Sequence, residues 1–159
     1  MAALGFVVVV AYAVVGAFQI LVWNPLAAVP GMALADIYSA VDRAKESLAI
    51  PRVLVWTVVG IALGAAVLVA ALRRPLSVRT VLALELLVLI LGAPSHWMAS
   101  FPAGMGLADT FAISGGDYSP WGKLLYAVSG IALLCLLVIM IRKGGEARGT
   151  KGGSGLAAG

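Results

Sequence analysis

Residues 53–72 read VLVWTVVGIALGAAVLVAAL, an uncharged run fenced by Arg52 on one side and by Arg73 and Arg74 on the other. A bilayer core about 30 Å thick needs roughly 20 mainly apolar helical residues to cross it. In hydrocarbon the backbone has to satisfy its own hydrogen bonds, and a run of this kind does so as a helix. Three further stretches meet the same requirement. One runs from Ala2 to Trp23, with Tyr12 and Gln19 as its sizeable polar interruptions. Another starts near Val78 and fades around Trp97, after Gly92 and Pro94. The last runs from Trp121 to Ile141 and stops at Arg142 and Lys143. Barrel strands would show short alternating segments instead. The sequence therefore predicts an all-α integral membrane protein, a four-helix transmembrane bundle with spans at about 2–23, 53–72, 78–97 and 121–141.

Composition agrees. Of 159 residues, 62% are hydrophobic and 11% are charged, against about 45–50% and about 25% in a soluble domain. Mean hydropathy is +1.07. So few charges cannot coat a water-soluble surface, which excludes a disordered chain, a disulfide-stapled secreted domain and a soluble enzyme. The first apolar run has no Lys or Arg before it and ends in Trp23-Asn24-Pro25 rather than at a small-residue cleavage site, so it reads as a retained anchor.

Basic residues set the expected orientation. Arg73, Arg74 and Arg79 join spans two and three, and Arg142, Lys143, Arg148 and Lys151 follow span four. The opposite side receives Arg43, Lys45, Arg52 and Lys123 together with Asp36, Asp42, Glu46, Asp109 and Asp117. This bias puts both termini in the cytoplasm. Trp23, Trp56, Trp97 and Trp121 each fall near the outer end of a span, where an amphipathic ring prefers the headgroup zone. Ala-, Val-, Leu- and Gly-rich usage suits a high-GC bacterium, so the expected location is a bacterial cytoplasmic (inner) membrane. A pI near 9.6 is accounted for by basic residues facing anionic lipid, with no nucleic acid required.

The two outer loops, 24–52 and 98–120, differ in character. In the first, Leu34, Ile37, Val41 and Leu48 recur at helical spacing, while Asp36, Ser39, Asp42, Arg43 and Glu46 fall largely elsewhere. That pattern predicts an extracytoplasmic amphipathic helix of about four turns between spans one and two. It either caps its own bundle or docks a partner through Leu34, Ile37 and Val41. The second loop is rich in Gly, Pro and Ser and contains Asp109 and Asp117 but no base until Lys123. It reads as a solvated connection or a partner-binding loop; two carboxylates could also contribute to a divalent-cation site if other oxygens joined them. The tail, 144–159, mixes Gly, Ala and Lys and is expected to be disordered.

Few residues could carry chemistry. Glu85 lies inside the third span, where a charge costs about 2.5–3.5 kcal/mol and so turns towards protein or water. It pairs with Arg73 or Arg79, or bonds across to Ser129 or Tyr126, or carries a proton or cation. Gln19 and Thr57 are polar points that tie helices together at around 1 kcal/mol each. Gly60 and Gly64 form a GxxxG that lets two helix backbones approach closely. His96 is the one histidine and Cys135 the one cysteine. A bis-histidine haem, an ordinary zinc site and an internal disulfide are therefore impossible within the chain. His96, beside Trp97, reads as an interfacial hydrogen-bonding residue.

No catalytic, cofactor or metal constellation is legible, and no cofactor is expected. Two readings follow. One is a non-catalytic accessory or assembly subunit of a larger membrane complex, respiratory or transport, partnered by lipid and by other subunits or its own copies. The other is a small oligomeric transporter or channel with Glu85 as its coupling residue.

Overall fold

The computed structural model describes the backbone of residues 1–152 and the side chains of residues 1–142. It is all-helical among the described residues, with four helices long and apolar enough to cross a membrane: Ala2–Ala28, Ile50–Arg73, Val78–Phe111 and Trp121–Arg142. The chain is a multi-pass membrane protein. Its elements are α1 (Ala2–Phe18), a π-turn (Gln19–Trp23), α2 (Asn24–Ala28), α3 (Leu34–Arg43), α4 (Ile50–Arg73), α5 (Val78–Phe111) and α6 (Trp121–Gly152). Helices α1 and α5 pack on each other, with α4 on one side of that pair and α6 on the other. One end of the bundle holds the short α4–α5 link. The other, the cap end, holds α3 and the α5–α6 connection.

The first span does not stop at Trp23. It continues as helix to Ala28, across Pro25. Proline has no N–H for the carbonyl four residues back, and its ring crowds that carbonyl. The chain answers both problems. The Asn24 N–H bonds to the Gln19 carbonyl, five residues back, which widens the turn. The abandoned Leu21 carbonyl accepts the Tyr38 hydroxyl of α3 at 2.9 Å.

The third span likewise runs on past Trp97 through Pro94 and Pro102 to Phe111, so the second loop shrinks to residues 112–120. A break at depth would expose more backbone to lipid than one missing bond does. Ser95 Oγ also takes up the Leu91 carbonyl at 2.7 Å and the Gly92 carbonyl at 3.1 Å. At 34 residues, α5 is about 51 Å long, so its last turns stand beyond the hydrocarbon as part of the cap.

The cap folds onto that extension. The amphipathic helix exists, but α3 ends at Arg43, about three turns instead of four. Ile37 is fully buried and Val41 nearly so, in one cluster with Ile20, Leu48, Ala99, Ala103 and Leu107. Ile37 and Val41 therefore belong to the chain's own core and cannot dock a partner. Gly106 permits the close approach of this cap: a Cβ there would lie 2.5 Å from the Ser47 carbonyl oxygen. At the other terminus α6 continues to Gly152, where disorder was expected from Gly144. Residues 153–159 lie outside the described residues.

Candidate functional site

Three helix faces meet in the seam between α1, α5 and α6. On the first span, Gly5 and Tyr12 of α1 and Gln19 at the start of the π-turn recur every seven residues and so stay on one face. Glu85, Gly92 and His96 share a face of α5, and Gly122, Tyr126 and Ser129 a face of α6. The seam is filled by a column of polar side chains in three layers, each seated against a glycine of a neighbouring helix.

The layer nearest the cap joins Gln19, His96, Tyr126 and Asp117. Gln19 and His96 are completely buried. His96 Nε2 lies 3.1 Å from Gln19 Oε1, His96 Nδ1 lies 3.4 Å from the Tyr126 hydroxyl, and Gln19 Nε2 donates to Asp117 Oδ1 at 3.0 Å. One assignment gives every group a partner of opposite role. Tyr126 O–H donates to Nδ1, Nε2–H donates to Gln19, and the amide donates to the carboxylate. The chain of bonds ends at Asp117, which is exposed.

Asp117 belongs to the α5–α6 connection, and Asn24 fixes it there. Asn24 Oδ1 accepts the backbone N–H of Tyr118 at 2.7 Å and of Ser119 at 3.3 Å. Gly122 supplies the space, since a Cβ there would lie 2.5 Å from Asp117 Oδ2. Trp56 of α4 closes the layer. Its ring meets His96 edge-on at 5.5 Å, and its indole N–H donates to Ser95 Oγ at 2.9 Å. Gly16 makes room for that indole.

The middle layer is Tyr12 and Ser129. Ser129 Oγ donates to the Leu89 carbonyl at 2.7 Å and so accepts from the Tyr12 hydroxyl at 3.1 Å. The Tyr12 ring lies on Gly92, where a Cβ would come within 2.6 Å of Cε1. The third layer is Glu85 alone. Its carboxylate occupies the place a side chain at Gly5 would need, and Oε1 is buried without a hydrogen-bond partner. Beside it is an apolar cavity of about 210 Å³ lined by Leu4, Val8, Val81 and Leu82.

Several expectations change. Glu85 bonds neither Ser129 nor Tyr126, because those groups serve the two layers above it. Arg79 instead reaches towards the Ile139 carbonyl at 3.5 Å. His96 is an interior residue, not an interfacial one; the α5 helix turns it inward and leaves Trp97 exposed. Trp56 is half-buried against it rather than set at the lipid surface. Thr57 ties no helices together, because its hydroxyl bonds back to the Val53 carbonyl at 2.8 Å. Asp109 is exposed on the last turn of α5, outside the column, and Leu34 is half-buried. Gly64 is buried against Phe6 and Val9 of α1, whereas Gly60 meets only Ala13 at ordinary contact distance. Among the described residues no three His, Cys, Asp or Glu side chains come together as a metal site. Asn24 escaped sequence reasoning because, in front of Pro25, it reads as a helix stop.

No protein-family model matches the chain, and neither a curated protein nor a solved structure matches it.

Proposed function

We propose that the chain is a non-catalytic accessory or assembly subunit of a larger bacterial membrane complex, held in the cytoplasmic membrane with both termini inside. The observation that supports this reading is the closure of the cap-side and middle layers of the polar column. Gln19, His96, Tyr12 and Ser129 bond to other helices of the same chain, which braces α1, α5 and α6 as a fixed frame. The surfaces left for partners are the lipid-facing sides of α4 and α6 and the outer face of the cap. On α6, Gly130 is an open notch with nothing within 4 Å of where a Cβ would sit, a place where a second helix could approach closely. On the cap, Asp36, Asp42 and Asp109 are exposed. The excess of Arg and Lys at the α4–α5 link and beyond Ile141 supports the orientation. Purification in mild detergent followed by mass spectrometry tests the proposal. Stoichiometric membrane partners are expected, and recovery of the chain alone and monodisperse would overturn it.

A second reading, a small transporter or channel, draws on one observation: Glu85 keeps a buried carboxylate oxygen unpartnered inside a span. Intramembrane acids of this kind mark proton and ion paths in transporters. In reconstituted vesicles Glu85→Gln would then abolish proton or cation flux, whereas a frame protein would lose only some stability.

A further inference from the structure

On the side of the α1–α5 pair away from the polar column, α4 and α5 diverge and leave a groove of about 690 Å³. Val9 and Ala13 of α1 form its floor. Val55, Val59 and Leu63 of α4 face Leu91 and Met98 of α5 across it, and these five are all exposed towards the surrounding lipid. The volume falls within the roughly 300–1,000 Å³ of small-molecule sites.

The polar groups of the groove are almost all engaged elsewhere. The Trp56 indole donates to Ser95, Ser95 donates to its own helix, and the Tyr12 hydroxyl is bonded to Ser129. Arg52, at the rim on the cap side, is the exception. Among the described residues its guanidinium makes no hydrogen bond or ion pair, and it is exposed.

Position narrows the occupant. Arg52 and Leu63, at opposite ends of the α4 wall, are separated by about 16 Å of helix. That is half of a hydrocarbon core about 30 Å thick, the depth of one leaflet. A partner's transmembrane helix would need a groove through both leaflets. A lipid needs one, with apolar walls and a polar group at the headgroup level only. We propose that the groove holds the acyl chains of an anionic membrane lipid whose head group lies on Arg52.

The test is native mass spectrometry of the full chain in mild detergent, titrated separately with phosphatidylglycerol and phosphatidylcholine of matched chains. One retained lipid per chain is expected, with phosphatidylglycerol favoured. Arg52→Gln should lower phosphatidylglycerol retention about fivefold, the effect of one cation near an anionic headgroup, and leave phosphatidylcholine retention unchanged. Gly60→Leu should remove both lipids. A Cβ there would lie 3.6 Å from its nearest neighbour, Ala13 Cβ, and Gly60 itself lines the groove. Equal retention of the two lipids by the wild-type chain would overturn the proposal, as would Arg52→Gln without effect. A co-purified helix crosslinked at Met98 with no lipid adduct would also overturn it.

Discussion

Replacing Gln19 by Leu asks whether the column holds the bundle together. Leu fits the volume but removes both the acceptor for His96 and the donor to Asp117, at 3.1 and 3.0 Å. Interhelical hydrogen bonds in membrane proteins average about 0.6 kcal/mol and reach about 1.7 kcal/mol, so two bonds contribute about 1–3 kcal/mol. Asp117 is exposed and recovers solvent. His96 is fully buried and keeps an unsatisfied N–H, which adds about 1–3 kcal/mol. We expect Gln19→Leu to destabilise the protein by about 2–6 kcal/mol. Denaturation in mixed micelles, followed by tryptophan fluorescence, reads this directly because Trp56 lies against His96. Thr57→Val is the control. Its hydroxyl bonds only its own helix, so it should cost under about 0.5 kcal/mol, as for substitutions remote from special features. In a His96→Leu background the Gln19 substitution should cost less, by an interaction energy of about 0.5–2 kcal/mol. Strict additivity of the two, or a Gln19→Leu effect no larger than that of Thr57→Val, would refute the reasoning.

Two further outcomes are expected. Gly92→Leu drives a side chain into the Tyr12 ring and should cost at least about 1–3 kcal/mol by overpacking, measured by the same denaturation; an unchanged midpoint would mean that Tyr12 does not sit on α5. Tyr38→Phe leaves the Leu21 carbonyl without its donor and should cost about 0.5–1.5 kcal/mol. Burial raises the Tyr38 phenol above its ordinary 10.0. Its contribution is therefore fully present below that value and is lost as pH rises through the higher folded-state value. Tyr38→Phe should flatten that alkaline loss, and an identical pH profile in the variant would count against the burial of the phenol.

Spans and cap were open to sequence reading for the same physical reason: both are written in local hydrophobic pattern. Twenty apolar positions between Arg52 and Arg73 mean a crossing wherever the rest of the chain lies, and Ile37, Val41 and Leu48 mark a buried face before anything is known of what buries it. Prolines mislead because their meaning depends on solvent. In water Pro94 would end its helix, since exposed backbone finds water. In hydrocarbon the unmet carbonyl is cheaper than a break, and at Pro25 the Tyr38 hydroxyl takes up the carbonyl that the proline leaves. The column lies beyond local pattern altogether. Its hydrogen bonds join residues separated by between 30 and 117 positions, so Gln19, His96 and Asp117 could be noticed singly but not as a set.

One signal does survive in the sequence, and it is the pairing of polar residues with glycines. Each layer of the seam has a missing Cβ opposite one of its polar side chains: Glu85 needs Gly5, Tyr12 needs Gly92, and Gln19 with Asp117 needs Gly122. Lipid offers no hydrophobic drive to pull helices together, so close backbone approach and hydrogen bonding must act at the same levels. Gly5, Tyr12 and Gln19 at seven-residue intervals already announce such a face on the first span. What the interval cannot supply is the register of α5 and α6 against it. That register follows from the glycines: Gly92 places His96 one turn above Tyr12, and Gly122 brings Asp117 down onto Gln19. The same register leaves Glu85 opposite Gly5 with Oε1 buried and unpartnered. Two layers of the column are complete as frame, and the third alone holds a buried side-chain oxygen without a partner among the described residues.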